Sequence, residues 1–163
     1  MEKISDYMTQ KTRDLLKVSI ETLEKKREAE LTTVNESYDL GTFRQSATVL
    51  DALGGWNSIE DEISRRTKAL NNAVIIREGE SVEGFIIGRK LVIRFENEDK
   101  NTILKIGTPW DATISTEVEN NSETISFQAP IISRLNKLKP GDETMMNKTK
   151  IKLIDISQPN KEF

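Results

Sequence analysis

The sequence predicts an α+β protein: an N-terminal antiparallel α-helical coiled-coil hairpin, then an antiparallel β-sheet domain carrying one short helix. Three observations predict it. Apolar residues recur at alternating steps of three and four as far as Ala73, the period changes to two beyond it, and the helical half lapses once in its middle.

The first arm carries Leu16, Ile20, Leu23, Arg27, Leu31, Val34 and Tyr38 on one stripe, and the second carries Val49, Ala52, Trp56, Ile59, Ile63, Arg66, Leu70 and Ala73. Such spacing is the seam of a coiled coil. The lapse around Asp39–Thr48 is long enough for a reversal, so the arms pair with each other, which favours a monomer. Gly54-Gly55 weakens the second arm, since glycine within a helix costs about 1 kcal/mol relative to alanine. The register from Ala52 to Trp56 to Ile59 favours a continuous helix; the competing reading is a break, with Ser58 capping a new helix. The seam arginines, Arg27 and Arg66, have stems long enough to pack while their heads reach solvent.

After Ala73 the residues Ser81–Ile87, Arg89–Phe95, Thr102–Ile106, Thr113–Glu119, Thr124–Phe127 and Lys150–Ile156 read as strands. Gly88, Asn97-Glu98-Asp99, Gly107-Thr108-Pro109, Asn120-Asn121 and Pro140-Gly141-Asp142 supply the turns. Pro130 opens the one short helix, with Ile131, Ile132 and Leu135 as its apolar side. The boundary near Arg77-Glu78-Gly79-Glu80 gives a hairpin over 1–77 and a sheet domain over 78–163.

Composition narrows the chemistry. With 36% hydrophobic and 31% charged residues the chain has the balance of a soluble protein, and no apolar run approaches the ~20 residues that span a bilayer. There is no cysteine, hence no disulfide or thiolate site, and the cytoplasm is the default compartment. There is no histidine, which removes Ser-His-Asp catalysis and the usual zinc sites. A net charge of −3 argues against a dedicated duplex-DNA binder. An independent enzyme is disfavoured; any chemistry rests on carboxylates, lysines, hydroxyls or a borrowed active site.

Three stretches carry a family resemblance: ISFQAPIISRLNKLKPGD (Ile125–Asp142), LNNAVII (Leu70–Ile76) and FIIGRKLVIRF (Phe85–Phe95). The first resembles the bacterial Gre transcript-cleavage factors in its strand, its proline-started helix with Arg134 and Leu135, and its Lys139, Gly141 and Asp142. The resemblance implies a sheet domain like the FK506-binding proteins and a partner, bacterial RNA polymerase. In the family that domain docks at the rim of the secondary channel, and the coiled coil reaches the active centre. Two tip carboxylates there help hold the polymerase's second magnesium, and the polymerase cleaves backtracked RNA. Magnesium prefers hard oxygen donors, so histidine is unnecessary.

The family's tip runs Asp-Leu, one variable residue, then Glu-Asn. Asp39-Leu40 match its first positions, while Thr42 and Phe43 fall where glutamate and asparagine stand. Glu36, three residues before Asp39 on one helical face, is a geometric substitute for the second carboxylate, so Asp39 and Glu36 are the candidate catalytic, magnesium-holding pair. A gapless alignment from the hinge puts Thr42 at the aspartate position instead, and then the acidic tip is lost. Both readings stand: a cleavage factor, or a channel-occupying regulator with Phe43 as an apolar plug. Arg134, Lys137 and Asp142 are the candidate polymerase-docking residues.

Lys25, Lys26, Arg27, Arg65, Arg66 and Lys68 would suit contact with the 3′ end of nascent RNA, but Glu24, Glu28 and Glu60–Glu62 beside them favour a salt-bridged face. Phe85, Phe95, Trp110 and Phe127 would line a peptide pocket in a chaperone or prolyl isomerase; a plain core is the simpler account.

Overall fold

The computed structural model describes residues 6–39, 47–120 and 123–159, the side chains of 33–53 excepted. The chain divides into two compact units, Asp14–Asn72 and Met1–Arg13 with Ala73–Phe163.

Two helices make the first unit, α1 (Gln10–Asp39) and α2 (Ala47–Asn71). Their contacts run in opposite directions: Ser19 meets Arg66, Arg27 meets Glu60, and the carboxyl of Glu30 lies over Gly55. Leu16, Ile20, Ile59 and Ile63 are buried, as the three-and-four spacing requires, while near the end of α2 Ala69 is buried and the expected Leu70 is half-buried. Leu31 departs from the expected stripe and is 47% exposed, because the glutamate at position 30 rather than the leucine faces Gly55. α2 runs unbroken through Gly54-Gly55. A Cβ at Gly55 would stand 3.4 Å from the Glu30 carboxyl carbon, so this glycine sits where the other helix passes close by. The reversal, 40–46, lies outside the described residues.

In the second unit a strand missed by the sequence, β1 (Tyr7–Met8), pairs in parallel with β2 (Val74–Ile75). Two residues carry no periodicity, so only tertiary pairing reveals such a strand. The strand expected over Ser81–Ile87 is a tight hairpin, β3 (Ser81–Val82) and β4 (Phe85–Ile86). Glu83 and Gly84 turn it with φ of 52° and 85°, the left-handed pair of a type I′ turn.

The main sheet has the order β7-β6-β5-β9-β8, from β5 (Lys90–Phe95), β6 (Thr102–Gly107), β7 (Thr124–Ser126), β8 (Glu143–Met146) and β9 (Thr149–Ser157). It is mixed, not wholly antiparallel: β6 and β7 are parallel. The segment Thr113–Glu119 explains this, for it is not a strand but part of helix α3 (Pro109–Glu119). Parallel neighbours need a crossover, and α3 is that crossover. Its β-branched Thr113, Ile114, Thr116 and Val118 favour a strand, but the N-terminal signal overrides them: Thr108 and Asp111 form a capping box around Pro109 at the first turn.

The second helix of this unit, α4 (Pro130–Leu135), is the proline-started helix expected. Its Ile132 and Leu135 join Phe127, Leu91, Ile93, Ile106, Ile151 and Leu153 in one core against the sheet. Phe85 and Phe95 pack on that core, with Phe85 5.6 Å from Phe127 between ring centroids, and Trp110 is buried. These aromatics are structural. Among the described residues no helix is long and apolar enough to cross a membrane.

Candidate functional site

The predicted site residues fall in both units. Glu36 and Asp39 stand in the last turn of α1, where their side chains lie outside those described. At 3.6 residues per turn, positions 36 and 39 fall away from the seam position occupied by Arg27. Carboxylates are the hard oxygen donors that magnesium takes, so the donor type fits. Among the described residues no three acidic, histidine or cysteine side chains gather as a metal cage. Two carboxylates alone suit an ion whose remaining ligands come from elsewhere. Thr42 and Phe43 lie outside the described residues.

The arginines of the two basic clusters are paired with carboxylates. Arg27 donates to Glu60 at 2.6 Å, and Arg65 donates through Nε and NH2 to Glu62 at 3.1 and 2.5 Å. Arg66 does not send its head to solvent as expected. It is 4% exposed, donates through Nε to Glu62 at 2.7 Å and through NH1 to the Ser19 hydroxyl at 2.9 Å. The hydrogen bond from Arg65, reinforced by Arg66 and opposed by partial burial, holds the Glu62 carboxyl below its ordinary range. For the three arginines the face is salt-bridged, the simpler of the two expectations; Lys25, Lys26 and Lys68 stand exposed beside them.

Arg134, Lys137 and Asp142 are all exposed and follow one another along the segment from α4 to β8. Arg134, in the last turn of α4, donates through NH1 to the carbonyl of Met145 on β8 at 2.6 Å. That bond ties the helix to the edge strand of the sheet and occupies a carbonyl there. Asp142 accepts from the Lys139 backbone N–H at 3.0 Å and closes the turn that enters β8, with Gly141 at φ 97°. Lys137 is exposed between them. One segment thus presents all three, two of them fixed by hydrogen bonds to backbone.

A groove of about 930 Å³ opens in the same unit beside the start of α1, with Thr9, Lys11, Glu78, Lys105, Asp111 and Glu119 among its walls. The sequence reading missed it. Four of its charges are matched in pairs: Lys11 meets Glu119 at 3.1 Å and Lys105 meets Glu78 at 2.6 Å. The buried Asp111 is committed too. One oxygen accepts from the Thr9 N–H and hydroxyl, each at 3.0 Å, and the other from the Thr108 N–H at 3.1 Å. The legible signal for this aspartate was Thr108-Pro109-Trp110-Asp111 read as a capping box rather than as a turn.

Fold and candidate residues together define a class: a two-unit α+β protein in which a long antiparallel helix pair accompanies a mixed-sheet unit. Among solved structures the chain is similar to GreA factor homolog 1 (Gfh1) of Thermus thermophilus, at TM-score 0.44 and 16% identity, over 93% of this chain and 97% of that one. It is also similar to Gfh1 of Thermus aquaticus, at TM-score 0.43 and 18% identity, over 92% and 96%. A prokaryotic transcription elongation factor GreA/GreB from Nitrosomonas europaea is similar at TM-score 0.34 and 18% identity, over 77% of this chain and 93% of that one. No family model and no curated protein sequence matches the chain.

Proposed function

We propose that this chain is a transcription factor of the Gre type. Its mixed-sheet unit, like the FK506-binding proteins in outline, docks on bacterial RNA polymerase. Its helix pair, a coiled-coil hairpin, enters the secondary channel. One observation supports the reading most. The stretch Ile125–Asp142, which resembles the Gre pattern in sequence, also folds in the order that pattern implies. Strand β7 leads to the proline-started α4, and the turn at Lys139–Asp142 leads to an edge strand. The protein is not an enzyme by itself; it works as a monomer, and the polymerase owns the bond-breaking step.

At the channel's end Glu36 and Asp39 offer oxygen donors to a magnesium ion shared with the polymerase. Magnesium, when bound, supplies activation of water and offsets charge on the phosphate. The chain's part is to bring the carboxylates to the ion, and two donors three residues apart in one helical turn do so at little conformational cost.

A stalled, backtracked elongation complex with magnesium tests this. Wild type is expected to stimulate RNA cleavage, and Asp39→Ala or Glu36→Ala to lower it at least about tenfold, the scale on which ligand-set changes act in metal sites. Unchanged cleavage in both variants removes the carboxylates from the mechanism. A second reading is favoured by Thr42 and Phe43, which stand where the family has glutamate and asparagine. On that reading the protein binds polymerase and occupies the channel without stimulating cleavage, and the same assay separates the two.

A further inference from the structure

We propose that Arg66, with Ser19 and Glu62, is a register lock: a positioning group that fixes how far α2 sits along α1. Burying a guanidinium in a helix seam is an expensive choice for stability alone, since an apolar side chain of similar volume often does as well or better. Registry is the best-attested use of a buried polar group in such a seam. The geometry here suits it. Arg66 is 4% exposed, its NH1 donates across the seam to the Ser19 hydroxyl at 2.9 Å, and the Ser19 hydroxyl in turn donates a hydrogen bond to the Leu16 carbonyl at 2.8 Å. Glu62 neutralises the head from the same helix at 2.7 Å. Arg66 and Asp111 are the buried charged side chains among the described residues, and Asp111 belongs to the other unit.

The apolar seam by itself tells registers apart only in part, because Leu16 and Leu23 on α1, and Ile63 and Leu70 on α2, stand one heptad apart. A one-heptad slip slides one helix about 10 Å along the other and brings these leucine and isoleucine positions back onto one another. Arg66 breaks that degeneracy in both directions. From its place opposite Ser19, one slip brings it to Lys26 and Arg27, the other to Thr12 and Arg13. The first wrong register removes the hydroxyl acceptor and sets Arg66 against Lys26 and Arg27, while the second offers the Thr12 hydroxyl but brings Arg13 alongside, so each sets a cation against a cation. The right one also seats Arg27 on Glu60 and Glu30 over Gly55. What the lock protects, the axial placement of Glu36 and Asp39, rests on the function proposed above; the lock itself does not.

The absence of cysteine makes register directly readable. The probe is the full chain with Glu30→Cys and Gly55→Cys, treated with a short bifunctional thiol reagent, with and without Arg66→Met. With Arg66 present the in-register cross-link is expected to dominate. With Arg66→Met it should fall to about half or less as slipped registers become populated, while helicity and Tm hold or rise. Ser19→Ala should lower the yield in the same direction, and Arg66→Lys, which keeps one charged donor, should partly restore it. An unchanged yield in a folded Arg66→Met chain would overturn the lock. Should that variant lose helicity, Ser19→Ala decides on the same readout, an unchanged yield again refuting. No polymerase enters the measurement, so its outcome is independent of the cleavage assay.

Discussion

Asp111 shows how much one side chain decides in this molecule. Its carboxylate accepts from the Thr108 N–H, completing the capping box of α3, and from Thr9, the residue between β1 and α1. At 7% exposed it works where water does not compete. Removing it leaves three donors without their acceptor, and unsatisfied groups of this kind cost more than the bonds are worth net. Asp111→Ala is expected to lower stability by about 3 kcal/mol in urea denaturation, from the charged hydrogen bonds and the cap together. A loss under about 1 kcal/mol would mean that solvent replaces the carboxylate readily. Arg66 is the counterpart in the other unit, and the contrast between the two is instructive. Asp111 had a sequence signal in Thr108-Pro109-Trp110-Asp111, but on sequence alone the stretch reads as a turn, which passes the aspartate over. Arg66 sat legibly on the seam, yet nothing in one sequence showed that Ser19, on the other helix, would accept its hydrogen bond.

At the scale of elements, the helices of the first unit were readable because a three-and-four apolar spacing sustained over many turns has one simple solution. α2 stays continuous through its two glycines because seam packing on either side outweighs a propensity cost. A consequence follows for Gly54, which is exposed and has nothing within 4 Å of where a Cβ would stand. Gly54→Ala is expected to stabilise the chain by roughly 0.5–1 kcal/mol, the glycine penalty for an exposed helix interior. Gly55→Ala should gain less, since Glu30 must give way. Thermal denaturation followed by helix signal checks both, and a loss of stability for Gly54→Ala would contradict a continuous helix there. In the second unit, α4 and most strand positions were legible, but α3 was not. Its alternating β-branched residues mimic a strand, and propensity yields to a strong cap and to the need for a crossover. The parallel β6–β7 pair was lost with it, one error entailing the other. β8 was missed as well; its turn to β9 uses Asn147 and Lys148 at φ 49° and 66°, without the glycine that flags such turns.

At the scale of the whole molecule, the chain leaves one unit, makes the helix pair and returns, so the sheet unit is built from both of its ends. β1 is bound to β2 by parallel pairing and by the Ile76 N–H on the Met8 carbonyl at 2.9 Å. Boundaries drawn from composition alone could not show that the first residues belong with the last, because the pairing is non-local. The candidate site was legible only in part for the same reason. Arg134, Lys137 and Asp142 share a continuous segment and could be read together. The turn that Asp142 closes was legible as well, but the role of Arg134 on the Met145 carbonyl depends on β8, which had no sequence signature.

The central claim is that this chain works on RNA polymerase, and the most direct test is binding. The full chain, labelled and titrated with bacterial RNA polymerase core enzyme, is expected to bind saturably, and an unlabelled Gre factor that occupies the secondary channel should displace it. Arg134→Glu and Lys137→Glu, which reverse charge on the proposed docking segment, should weaken binding about tenfold or more if these charges face the partner. No saturable binding, or binding indifferent to the competing factor, would contradict the account.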